Sequence, residues 1–174
     1  HGSHEWRFMK GIWILAFQVA HGVVFITDRL RQWYGADAAH SVVTHANALD
    51  DVFFTVDRKT LRIETRARLQ IPEDIFLMGY IGSTLWYKVD VLVAMLSQLS
   101  QNVKLLLVGM KHTEEERIRS FARTLGVENR LMIQSRVPAQ EVFSYLVASD
   151  VLLIPPMIMY PGSISSKIYE YAAA

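Results

Sequence analysis

From Ile75 to Ile154 the chain repeats one pattern, a short unbroken apolar run followed by a segment whose apolar residues return at helical spacing. Unbroken runs suit strands covered on both faces, and a 3.6-residue period suits the helices that cover them. Ile75–Ile81 is the first run, and Val89, Leu92, Val93 and Leu96 mark the amphipathic helix after it. Lys104–Val108 is the next strand. Thr113-Glu114-Glu115-Glu116 reads as a capping box opening a helix with the buried stripe Ile118, Phe121, Ala122 and Leu125, and Gly126 stands where a left-handed cap belongs. Arg130–Gln134 is a strand, Pro138–Ser149 a proline-initiated helix and Val151–Ile154 a strand. Strands alternating with helices in this way predict an α/β fold, a doubly wound parallel sheet with right-handed crossovers.

The chain before Ile75 is less regular. Phe8–Ile26 is apolar, but Lys10, Gln18, His21 and two glycines interrupt it, which argues against a spanning helix. It reads as a helix, Glu5–Ala20, and a strand, Val23–Thr27, with Trp13 and Phe17 needing something to pack on. Ser41–His45 is a short β-branched strand, Asn47–Asp51 a polar turn, and Lys59–Leu69 a charged helix that ends before Ile71-Pro72, where a boundary between two lobes is expected. His1–His4 looks like a tag remnant, and Ala172-Ala173-Ala174 closes a helix without a cap, so the sequence reads as a piece of a longer protein whose exposed apolar surface favours self-association. With 51% apolar and 20% charged residues, a net charge of +1 and no cysteine, the chain calls for a sizeable core. The same figures argue against nucleic acid as a partner and against disulfide or thiolate chemistry, and they point to the cytoplasm.

Ligands of doubly wound sheets bind beyond the carboxyl ends of the strands. The loops there are Gly82–Tyr87, Gly109–His112, Ser135–Pro138 and Pro155–Ser166. Gly82-Ser83 suits either a phosphate approach or an ordinary tight turn, since neither a full G-x-G-x-x-G nor a P-loop lysine pattern is present. A helix starting near Ser165-Ser166 points amides at the crevice, Lys167 adds a charge, and Glu170 lies on the same face as Ser166, where it can accept sugar hydroxyls. A capped surface helix with solvated Lys and Glu has the same pattern. His21, His40, His45 and His112 lack metal-ligand spacing, and Lys111-His112 is a weaker anion candidate. Glu114-Glu115-Glu116-Arg117 reads as a solvated helix face, while Trp86 and Tyr87 either line the pocket mouth or pack the loop.

Six segments carry a family resemblance in order: Val23–Thr27, Val42–Asp50, Tyr80–Ser83 with Trp86–Asp90, Leu106–Gly109, Ser149–Pro155 and Ser166–Tyr171. Together they resemble the family-4 type glycosyltransferases of the two-lobed GT-B fold. The resemblance implies a Rossmann-like donor lobe over 74–174, a linker over 52–73 and, over 5–51 after the tag remnant 1–4, part of the N-terminal acceptor lobe. It implies a hexosyl-type enzyme of polysaccharide biosynthesis, working in the cytoplasm or at the inner face of a membrane. Transfer from a nucleotide-sugar donor to a saccharide or lipid-linked acceptor would be retaining, with the donor a substrate and neither metal nor cofactor required. Gly82, Ser83, Lys88, Ser165, Ser166 and Lys167 would hold the diphosphate, Val137 and Pro138 would lie against the base, and Glu170 would bind the ribose. The resemblance marks no catalytic residue. Gly162 stands where many of these enzymes carry a first glutamate, and Lys88 is one position from their lysine. A non-catalytic nucleotide-binding or interaction module and a nucleotide-sugar epimerase of the same fold are the alternatives.

Overall fold

The computed structural model describes residues 4–35, 40–44, 49, 51–84, 87–156 and 165–174. Its contacts divide the chain into two units, His1–Ala48 with Tyr160–Ser165 and Leu49–Met159 with Ser166–Ala174.

In the first unit, helix α1 (His4–Val19) precedes strand β1 (Val23–Phe25), helix α2 (Asp28–Tyr34) and strand β2 (Ser41–Val43). The strands pair in parallel, Val23 opposite Ser41 and Phe25 opposite Val43. β1 ends before Thr27 because that residue caps α2, its hydroxyl accepting the Leu30 amide at 3.1 Å. Gly35, left-handed with φ of 67°, closes the helix. The Phe17 ring meets the edges of Phe25 and Tyr34 at centroid distances of 5.5 and 5.3 Å, and Trp13 tilts against it at 6.2 Å. Phe25 is buried, yet Phe8, Val19 and Val24 are 70, 82 and 65% exposed. Among the described residues no helix is long and apolar enough to cross a membrane.

The second unit contains α3 (Val52–Thr55), α4 (Arg58–Arg68), β3 (Phe76–Ile81), α5 (Asp90–Leu96), β4 (Val103–Val108), α6 (His112–Thr124), β5 (Leu131–Gln134), α7 (Ala139–Ala148), β6 (Val151–Leu152) and α8 (Lys167–Ala172). Four strands form a parallel sheet in the order β5-β4-β3-β6. Alternation along the strands splits the core into two layers. Met78, Tyr80, Leu105 and Leu107 face one way, toward Leu92, Val93 and Leu96 of α5 and Ile118 and Ala122 of α6. Leu77, Ile81, Leu106 and Val108 face the other, toward Phe143, Leu146 and Val147 of α7. The doubly wound expectation thus agrees with the fold, and Gly126, with φ of 69°, is the expected left-handed residue. The Gly126 amide reaches Arg123 and the Val127 amide reaches Ala122, at 3.0 Å each.

Several local expectations fail for identifiable reasons. α6 begins at His112 with no side-chain cap, so Thr113 lies inside the first turn and no capping box forms. Pro138 is the extended residue before α7, not its first turn. β6 pairs only Val151 and Leu152 with β3, and Pro155-Pro156 carries the chain away. The helix expected from Ser165-Ser166 starts at Lys167, with Ser166 helical in backbone but making no side-chain cap.

The charged helix α4 packs within the second unit. Arg62 donates to the carbonyls of Val147, Ala148 and Ser149 at 3.0–3.1 Å and to Asp150 at 2.5 Å. Arg66, buried, donates to Ala148, Asp150, Pro72 and Ile75. Asp150 also accepts the Leu77 amide at 2.7 Å. Burial alone would raise the Asp150 pKa, but the Leu77 amide and the two guanidiniums outweigh it and hold the carboxyl below the ordinary 3.8.

Candidate functional site

β3 and β4 each run into a glycine with positive φ, Gly82 at 139° and Gly109 at 94°. The Gly82 amide donates to Val108 at 2.8 Å and the Gly109 amide to Gln134 at 3.0 Å, so the ladder continues one residue past each strand. The two glycines touch. A Cβ on Gly109 would fall 2.9 Å from the Gly82 carbonyl oxygen, closer than any side chain tolerates.

Lys167 covers Gly82. A Cβ placed there would lie 2.5 Å from both Cε and Nζ of the lysine. Nζ also stands 5.0 Å from the Tyr87 ring centroid and 5.6 Å from that of Tyr80, distances at which an ammonium is attracted to an aromatic face. Burial lowers the Lys167 pKa, and the charge of Glu170 opposes that shift.

The backbone of β3 explains how the lysine arrives there. On the side of β3 facing β6, Leu77 exchanges bonds with Asp150, its carbonyl accepting from the Asp150 amide at 2.8 Å, and Gly79 accepts from Leu153 at 2.8 Å. By Ile81 the neighbouring strand has ended, and the Tyr171 hydroxyl takes its place, accepting the Ile81 amide at 3.0 Å and donating to the Ile81 carbonyl at 3.2 Å. Burial, the largest cause, pushes the Tyr171 pKa up to about 12. Lys167 precedes Tyr171 by four residues and shares its helical face, so fastening Tyr171 to β3 brings Lys167 to the same strand end.

The loop after β3 is held at two points. The Tyr80 hydroxyl donates to the Ser83 carbonyl at 2.5 Å, and the buried Thr84 hydroxyl donates to Glu114 of α6. Burial raises the Tyr80 pKa, which keeps that phenol a donor.

Of the residues singled out by sequence, Gly82, Ser83, Lys167 and Glu170 gather around the end of β3 and the start of α8. Ser166 precedes α8, exposed, and Ser165 groups with the first unit. Lys88 is exposed, its amide donating to the Pro156 carbonyl at 3.1 Å. Val137 is half-buried against the α7 layer, and Pro138 is exposed. Trp86, His45 and Gly162 lie outside the described residues. Glu114, expected on a solvated face, is drawn inward by Thr84, whereas Glu115 pairs with Arg119 at 2.8 Å and Arg117 with Asp90 at 2.6 Å. The structure adds Tyr80, Tyr171, Thr84 and Gly109 to this neighbourhood. The spacing of Lys167 and Tyr171, four apart in a short amphipathic helix, was the available signal for one of them. Among the described residues no group of three or more His, Asp or Glu is placed to hold a metal ion.

No family model and no curated protein matches the chain. Solved structures do. HepE from Anabaena, in complex with UDP and glucose, aligns over 94% of this chain and 45% of its own, with a TM-score of 0.76 and 19% identity. WaaG, a glycosyltransferase involved in lipopolysaccharide biosynthesis, aligns over 86% of this chain and 41% of its own (TM-score 0.70, 20% identity). Sucrose-phosphate synthase from Thermosynechococcus elongatus aligns over 84% and 37% (TM-score 0.69, 20% identity). The chain spans less than half the length of these proteins, and over that span its fold is that of the GT-B glycosyltransferases, Rossmann-like in its parallel sheet.

Proposed function

We propose that this chain holds the nucleoside-diphosphate end of a sugar donor at the carboxyl ends of β3 and β4, as part of a glycosyltransferase. One observation carries the reading: the Lys167 ammonium is seated on Gly82 by a helix that Tyr171 fastens to β3. When a sugar is transferred, the diphosphate it leaves gains negative charge in the transition state, and a cation already in place stabilises that charge without reorganising. The Gly82 amide is engaged with Val108, so at this strand end the lysine, rather than the glycine amide, meets the phosphate. Ser83 and Ser166 supply further donors, Lys88 a second cation, and Glu170 accepts ribose hydroxyls while Val137 and Pro138 lie against the base. The whole enzyme passes a hexose, with retention and without a metal, to a hydroxyl of a saccharide or lipid-linked acceptor. The complex of HepE with UDP-glucose makes UDP the first ligand to try.

A thermal-shift panel of UDP, GDP, ADP and CMP tests the reading. A ligand at about 100 times its Kd adds about 2.7 kcal/mol of stability, so a fitting diphosphate raises Tm by several degrees and Lys167→Met removes the rise. A panel in which nothing moves Tm at millimolar concentration, or in which the variant responds like the parent, sinks it.

A further inference from the structure

The geometry points to Tyr87 as a positioning residue that holds the Lys167 ammonium over the end of β3 for a phosphate, with Tyr80 as a second wall. The identity of the ligand rests on the nucleotide reading above; the placement of the lysine does not. A lysine has four rotatable bonds, and an unconstrained ammonium must be ordered when an anion binds, which weakens binding. Here three surfaces confine it. Gly82 leaves bare the space where a Cβ would meet Cε and Nζ at 2.5 Å. The Tyr87 and Tyr80 rings, 5.7 Å apart and inclined at 58°, form the other two sides, 5.0 and 5.6 Å from Nζ.

The walls are themselves anchored. Tyr80 is fully buried in β3 with its hydroxyl on the Ser83 carbonyl. Tyr87 is buried, and its amide donates to the Thr84 carbonyl at 3.2 Å, while the Thr84 side chain donates to Glu114. The Thr84–Tyr87 contact therefore helps bring a ring over the lysine. That arrangement makes the aromatic face of Tyr87, not its hydroxyl, the working part, and it makes the effect specific to ligands that carry phosphate.

The experiment compares Tyr87→Leu, Tyr87→Met and Tyr87→Phe, with UDP and uridine as probes and the Lys167 ε-methylene proton resonances as a ligand-independent readout. The methionine variant keeps most of the bulk without the ring, should the leucine variant fold poorly. Loss of the ring should weaken UDP binding about fivefold to tenfold, leave uridine within about twofold, and move the ε-methylene protons downfield as the ring-current shift disappears. Tyr87→Phe should rescue all three, and in a Lys167→Met background Tyr87→Leu should have no further effect on UDP. The inference is overturned if removing the ring leaves the methylene resonances and the UDP affinity unchanged, if the phenylalanine variant behaves like the leucine variant, or if uridine weakens as much as UDP. If neither probe binds the parent chain, the nucleotide reading falls, and the methylene resonances alone decide the placement: no shift on removing the ring overturns it.

Discussion

The two units use the same pairing of parallel strands and end in different states. In the second, β3 and β4 are covered on both sides, with Leu77 and Leu106 facing α7 and Tyr80 and Leu105 facing α5 and α6. In the first, β1 and β2 are three residues each, only Phe25 of β1 is buried, and Val24 and Val42 remain open. Strand residues alternate, so a sheet covered on one side leaves half its apolar side chains in water. The lesson is that apolar content alone does not make a core; a second layer does.

The largest effect that sharpens this contrast is the truncation Phe143→Ala, set against Val24→Ala. Phe143 is buried beneath the sheet and packs against Phe53, the rings tilted at 56° with centroids 4.6 Å apart. Its loss should cost about 3–5 kcal/mol in urea unfolding, whereas Val24→Ala should stay within about 0.5 kcal/mol. Equal costs would break the comparison.

Next comes Asp150→Asn, which removes the charge that Arg62 and Arg66 share. It should cost about 2–4 kcal/mol at neutral pH, because Arg66 is buried. The sign of the pH effect follows from the shift. The folded carboxyl titrates below its unfolded value, so its contribution is complete above the ordinary 3.8 and is lost as pH falls through the lower folded value. Urea midpoints measured stepwise below about pH 4 should therefore fall less steeply in the variant than in the parent. Parallel pH profiles would remove Asp150 from the account.

The smallest expected change is in the stability of Lys167→Met. Burial disfavours the charged lysine, so its folded pKa lies below 10.5; the cost is present at neutral pH and is relieved as pH rises toward that value. Tm should hold or rise by about 1–3 °C while diphosphate binding is lost. A clear fall in Tm would recast the lysine as a structural residue.

Where the period was long and the caps were local, the fold was legible in the sequence: β3, β4, α5 and the turn at Gly126 all lie where spacing placed them. Some failures are local, as at Thr113, where no capping box forms, and Pro138, which precedes α7; the larger ones involve partners distant in sequence. Glu114 looked solvated because nothing nearby shows that Thr84 will reach it, and α4 looked like a charged linker because the carbonyls of Val147, Ala148 and Ser149 that its arginines meet come more than 80 residues later. The site divides in the same way. Gly82 and Lys167 were each legible from their local pattern, but their contact joins a strand end to the last helix, and the rings of Tyr80 and Tyr87 acquire a role only once that contact exists.

The Tyr171 hydroxyl has a kinetic consequence. Because it stands in for a strand residue at Ile81, the protection of that one amide from solvent hydrogen exchange depends on α8 staying docked as well as on the sheet staying folded. The end of β3 is then a latch with its own opening rate, set by one phenol, and anything that grips Lys167 slows the opening of the helix that carries both.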